Sequence, residues 1–281
     1  MRLPSTRAAR ALAGGAAALV LLVVVASVLY WTSPLAHPPP GCTASVTAAP
    51  GSDAETFSDF AMSPEQAENA ATIAGVGGKL GMPDHAVTVA IATALQESGL
   101  HNLSYGDLDS IGLFQQRPSQ GWGTPDQIAD PVYAATAFYL RLRLQPNWAD
   151  IDVTKAAQLV QHSAAPLAYA QWEPRARVLA AALTGEAEAS LTCHDIKVGA
   201  PSVVLVTEAK RELGTAALTG QHPPERARAL GNWLVAHAVR FGIDRVTVNG
   251  ATWTAATGEW APSGPPDGML SLHQVTQPPP P

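Results

Sequence analysis

Apolar and polar residues recur along this chain with a helical period up to about residue 190 and a mixed one beyond residue 198. Val87, Ala90, Ile91, Ala94 and Leu95 fall at i, i+3, i+4, i+7 and i+8, one apolar stripe. With Asp84 as N-cap and Gly99 as stop, the stripe predicts a helix over 84–98. Ser63-Pro64-Glu65-Gln66 predicts an earlier one, with a capping box, proline in the first turn and Gly77-Gly78 as its end. Asp130-Pro131 opens another, with Val132, Ala135, Phe138, Tyr139 and Leu142 on one side. Two more follow over 154–163 and 174–183, the last halted by Gly185. Between them, Gly106, Asp107 and Asp109 mark turns, Ile111-Gly112-Leu113-Phe114 reads as a short extended piece, and 118–125 (PSQGWGTP) excludes regular structure.

Beyond residue 198 the pattern predicts a strand over 202–206 and a helix over 223–241. That helix brings Leu230, Trp233, Leu234 and His237 close in projection and stops at Gly242. A hairpin of 245–248 and 251–254 turns at Asn249-Gly250, a pair suited to a type I′ turn. The expected fold is a mainly α domain with a small extended excursion over 56–193, then a small α/β (α+β) domain over 198–265. A proline-ended stretch over 266–281 is expected to be disordered.

The amino terminus adds a membrane expectation. Arg2, Arg7 and Arg10 within residues 1–10 precede an uncharged apolar run over 11–31. About 20 apolar residues span a bilayer, and basic residues before such a run keep the terminus cytoplasmic. The expectation is a single-pass signal anchor with the bulk of the chain outside, the alternative being secretion after signal cleavage. Residues 32–55, rich in Pro, Ala, Gly and Ser, read as a linker holding the domain off the membrane. In an exported protein, Cys42 and Cys193, the only two cysteines, suggest one disulfide around the predicted helical domain.

Composition narrows the function classes. Of the 281 residues 47% are hydrophobic and 14% charged, which suits globular folding, and the formal net charge of −6 argues against general nucleic-acid binding. Cysteine number and spacing support no zinc cluster, no cofactor is called for, and nothing points to a protein partner.

Glu97 continues the apolar stripe to the end of its helix. Desolvation and the negative end of the helix dipole both favour a protonated carboxyl there, the setting of a general acid. Glu97-Ser98 followed by Gly112-Leu113-Phe114-Gln115 resembles the Glu-Ser and Gly-Leu-Met-Gln signatures of lytic transglycosylases and goose-type lysozymes. Ala137-Phe138-Tyr139-Leu140 is similar to the family's next helix, and Gln161-His162-Ser163-Ala164-Ala165-Pro166 stands where it has Tyr-Asn-Ala-Gly.

This resemblance covers about half the chain, near 42–193, and implies a lysozyme-like fold that cleaves peptidoglycan glycan strands. Glu97 would be the acid and base, with Ser98 and Gln115 at substrate-contact positions and Phe114 flooring a sugar subsite in place of Met. Arg177 falls near the place where the family's last helix carries a tyrosine bonded to the glutamate. Gln116 by its carboxamide, Tyr139 within the family-like 137–140 element, and Tyr169 and Trp172 after the 161–166 element join the candidate substrate-binding set. Trp122, in a glycine-flanked loop, either stacks on sugar or packs in the core.

Asp107 and Asp109 are the candidate second carboxylates, and either simply cap turns or face Glu97 across roughly 6.5–9.5 Å as the base of an inverting hydrolase. Residues 231–253 resemble the end of D-alanyl-D-alanine carboxypeptidase-like domains of actinobacterial wall proteins. The family's acidic metal ligand is missing from 214–219, and His273 is at best one remnant ligand, so no metal is expected. The alternative to an enzyme is a non-catalytic peptidoglycan-binding or cell-wall scaffold protein.

Overall fold

The computed structural model describes residues 39–46, 59–188 and 190–275. The apolar run expected as an anchor lies outside these residues, and among them no helix is long and apolar enough to cross a membrane. Strand β1 (Gly41–Ala44) pairs antiparallel with β2 (Phe60–Met62) on one side and β3 (Leu191–His194) on the other. Part of the expected linker is therefore a strand. Its alternation, with Cys42 and Ala44 buried, is too short to signal one, and its main partner lies some 150 residues away. Cys42 and Cys193 are register partners, and their sulfurs are bonded as the cysteine arithmetic suggested.

Helix α1 (Pro64–Lys79) starts with the expected capping box, Gln66 N donating to Ser63 Oγ and Ser63 N to Gln66 Oε1. It runs past Gly77 and Gly78. Gly77 permits a close approach, since a Cβ there would lie 2.8 Å from the Tyr139 hydroxyl. Helix α2 (Asp84–Ser98) has the expected limits and a left-handed Gly99 at its end, though Pro83 holds the N-cap position and Asp84 opens the first turn.

The short α3 (Pro125–Ile128) follows a 3-10 turn at Pro118–Gln120, so the proline- and glycine-rich stretch is partly ordered by local capping at Thr124. Then come α4 (Pro131–Arg143), α5 (Val153–Gln161) and α6 (Glu173–Thr184). Every residue of α2 from Ala86 to Leu95 is buried, because α1, α4, α5 and α6 all pack on it. Its stripe marks only the most shielded line of a helix enclosed on all sides.

The expected strand at 202–206 is instead a loop leading into α7 (Leu205–Leu213). Leu205, Glu208, Ala209, Glu212 and Leu213 are its buried residues, at i, i+3, i+4, i+7 and i+8, and this helical spacing overrides the β-branched start. Two glutamates on the inner face hid that spacing from a count of apolar residues. The helix expected over 223–241 is two, α8 (Pro224–Ala236) and α9 (Ala238–Phe241), broken at His237.

The five-stranded antiparallel sheet also includes β4 (Gly220–Gln221), β5 (Ile243–Val248), β6 (Ala251–Thr254), β7 (Glu259–Pro262) and β8 (Met269–Gln274), in the order β4-β8-β5-β6-β7. Asn249 and Gly250 both take positive φ, as their turn requires. The tail expected to be disordered from 266 thus supplies an inner strand, whose Leu270 is fully buried and whose neighbours alternate too weakly to announce it. Residues 276–281 lie outside the described residues.

Nine α-helices and two antiparallel sheets among the described residues make a mixed α+β fold. One hydrophobic core runs through helices and sheets. Helix α8 packs on α1, α6 and β5, and α7 on α1, where a Cβ at Gly75 would lie 2.9 Å from Leu213 Cδ2. At that junction sits a buried polar knot. Thr72 Oγ1 and Trp233 Nε1 donate to Glu212 Oε2, His237 Nε2 lies 3.2 Å from the same oxygen, and Arg240 reaches Oε1. His237 Nδ1 lies 2.9 Å from Trp233 O, which draws the ring inward where the helix breaks.

Candidate active site

The last turn of α2 carries three successive polar side chains, each holding a different segment. Gln96 Oε1 accepts from Trp172 Nε1 at 2.8 Å and Gln171 Nε2 at 3.1 Å, which fixes the 3-10 segment before α6. Tyr169, beside that segment, donates its hydroxyl to Glu97 Oε1 at 2.7 Å. Ser98 Oγ donates to Leu113 O at 2.8 Å and anchors the following turn. The role expected near Arg177 therefore falls to Tyr169. Arg177 faces back along its own helix, donating to Glu173 at 3.0 Å.

The Gly112–Gln116 segment is a tight turn and not the extended piece its sequence suggests. Ile111 and Gln116 exchange both backbone hydrogen bonds, at 3.0 Å each. Gly112 lies at φ 79°, where a Cβ would meet Ile128 O at 2.7 Å. Gln161, from the end of α5, donates to Phe114 O at 2.9 Å. Ser98 and Gln161 thus grip adjacent carbonyls of one turn from two helices.

Around Glu97 lies a cleft of about 440 Å³. Asp107, Ser110, Gln115 and Arg117 line one side, and Gln161, His162, Ser163 and Ala164 another, with Gln120 and Trp122 completing it. His162 ends α5 in a left-handed conformation, which directs the 162–166 loop along the cleft. Carboxamides and hydroxyls dominate this lining, a surface suited to a polyhydroxylated ligand.

The candidates divide sharply. Glu97, Asp107, Gln115 and Trp122 line the cleft, and Tyr169 stands behind Glu97. Ser98 directs its hydroxyl at backbone carbonyls, so it positions the turn. Phe114 is fully buried against Phe138, with ring centroids 4.8 Å apart. Gln116 is buried and donates to Ala134 O. Tyr139, also buried, donates to Ile73 O within the helical core. Phe114 and Gln116 lie inward because the turn packs on α4, and Tyr139 because it sits on the inner face of that helix. Trp122 is 6% exposed and the Arg141 guanidinium covers its ring at 3.5 Å, so no sugar stacks on that face.

The two aspartates have different fates. Asp109 accepts from Arg117 Nε at 2.7 Å, Ser119 N at 2.8 Å and Ser119 Oγ at 3.0 Å. Those bonds hold its carboxyl well below the usual carboxylate range and commit it to the loop. Asp107 is exposed on the cleft wall. Burial first, then the bond to and charge of Glu97, push the Tyr169 hydroxyl up from its ordinary value, so it remains a donor. No family model matches the chain, and no curated protein does.

A half-buried carboxyl with one oxygen held by a tyrosine and its face on an open polar cleft can give a proton to a bound ligand and take one back. Gln96, Gln161 and the positioning role of Tyr169 escape sequence reasoning, since each acts across a long separation with no local pattern. Among the described residues no three His, Cys, Asp or Glu side chains gather in a metal-binding arrangement. His273 instead lies 2.6 Å from Asp244.

Proposed function

We propose that this chain cleaves the glycan strands of peptidoglycan by the lytic transglycosylase route. The observation that carries the reading is Glu97, at the end of an enclosed helix, bonded by Tyr169 and facing a carboxamide-lined cleft. Glu97 protonates the glycosidic oxygen as the bond to the anomeric carbon breaks. The sugar's own 6-hydroxyl attacks that carbon, and the Glu97 carboxylate accepts its proton, restoring the acid. No water is consumed and the product carries a 1,6-anhydro ring.

Asp109 supports this route over an inverting hydrolase, because its oxygens are occupied by Arg117 and Ser119. The Cys42–Cys193 disulfide supports placement outside the cytoplasm, consistent with a membrane-anchored wall enzyme. Mass spectrometry of peptidoglycan digested by the chain tests the proposal. Anhydro ends are expected from the wild type, and Glu97→Gln should lose at least about 10²–10⁴-fold in rate while still binding glycan. Reducing ends together with collapse in Asp107→Asn would select the hydrolase. Wild type no faster than Glu97→Gln would leave a binding protein without turnover.

A further inference from the structure

At the other end of α2, about 20 Å from Glu97 by helical rise, a second cavity of about 140 Å³ opens between α1, α6 and α8. Its walls are apolar or small, including Ala71, Ala74, Val87, Leu183 and Leu213. Two charged side chains also line it, Asp84 and Arg226. Among the described residues, Arg226 is the one half-buried arginine without a hydrogen bond or a carboxylate partner. Arg117, Arg141, Arg211, Arg228 and Arg240 all donate to carboxylate or carbonyl oxygens.

Partial burial against the cavity wall draws the Arg226 guanidinium below its ordinary value. The Asp84 carboxylate, exposed in the first turn of α2, has no ion-pair partner among the described residues, and it does not pair with Arg226 although both line the same cavity. An arrangement of cation, apolar walls and anion is complementary to a small zwitterion with an apolar body.

We infer that this cavity binds a free α-amino acid with a small aliphatic side chain, its carboxylate on Arg226, its ammonium toward Asp84 and its side chain among the alanines and Leu213. A cavity of this volume is close to engineered ones of about 150 Å³ that hold benzene, so it has room for the side chain of valine or leucine. The site is separate from the Glu97 cleft, and its test does not depend on turnover.

Titration calorimetry of the full chain in detergent, with valine as ligand, should give saturable one-to-one binding. Arg226→Gln should weaken it about ten- to hundredfold, the usual loss for one charge-assisted bond. Asp84→Asn should weaken valine but leave isovalerate, which lacks the ammonium group, unchanged. Valine should also raise the melting temperature of wild type and not of Arg226→Gln, with circular dichroism showing both folded. Absence of saturable binding by valine and leucine, equal valine affinity in wild type and both variants, or isovalerate binding as tightly as valine would each overturn the inference.

Discussion

Tyr169 and Glu97 are 72 residues apart in sequence and 2.7 Å apart in space, and the tyrosine is the clearest single-residue lever on the proposed chemistry. Tyr169→Phe keeps the ring in its buried place and removes only the donor. It should lower kcat about 10–100-fold with little change in KM, because the lost bond orients the acid and does not bind sugar. A KM effect without a kcat effect would assign the tyrosine to binding. Gly112 offers a different lever. Gly112→Ala places a methyl against Ile128 O at a positive φ, and denaturant unfolding should report a loss of about 1–3 kcal/mol. Glu97 was legible in sequence because a helix stripe and a stop signal are local. The inward turn of Phe114 and Gln116 was not, because facing core or cleft is decided by contacts with α4 and α5.

At the scale of elements, the turn that faces Glu97 is held from two helices, by Ser98 at Leu113 O and Gln161 at Phe114 O. Ser98→Ala should cost about 1 kcal/mol of stability and raise KM more than it lowers kcat, since Gln115 lines the cleft from the loosened turn. A fall in kcat alone would place Ser98 in the chemistry after all. Caps, glycine stops and the Asn-Gly hairpin located most helices and the main hairpin, since each acts within a few residues. Helix α7 was misread because Glu208 and Glu212, polar letters in the sequence, point inward to partners on other elements. Strands β1 and β8 escaped for a related reason, their pairing being set by distant chain.

The whole molecule is joined by the knot around Glu212 and His237. Burial alone would raise the Glu212 carboxyl, yet the His237 charge, bonds from His237 and Trp233, and Arg240 bring it below its ordinary 4.5. Burial would lower His237, but Glu212 above all keeps it above its ordinary 6.5. The glutamate's share of stability is present above about pH 4.5 and lost as pH falls through its depressed folded value. The histidine's share is complete below about 6.5 and lost as pH rises through its elevated one. Melting temperature should therefore peak between these limits, and Glu212→Gln should flatten the profile and cost about 3–5 kcal/mol by stranding buried positive charge. An unchanged profile in that variant would remove the pair from the stability balance.

The bond between β1 and β3 also decides how the molecule responds to tension. A pull on the chain ahead of residue 40 reaches Cys42 almost at once and crosses directly to Cys193, bypassing everything between. The 151 residues of sequence separation, roughly 500 Å of extended chain, are shielded from the load. Glu97, Tyr169 and the whole cleft lie inside that shielded stretch. Under force between the two ends, the stretch between the two cysteines should not lengthen, and single-molecule extension should gain its hidden length only when reductant is added. The cleft would thus sit in a loop that force cannot straighten while the carboxyl-terminal sheet gives way.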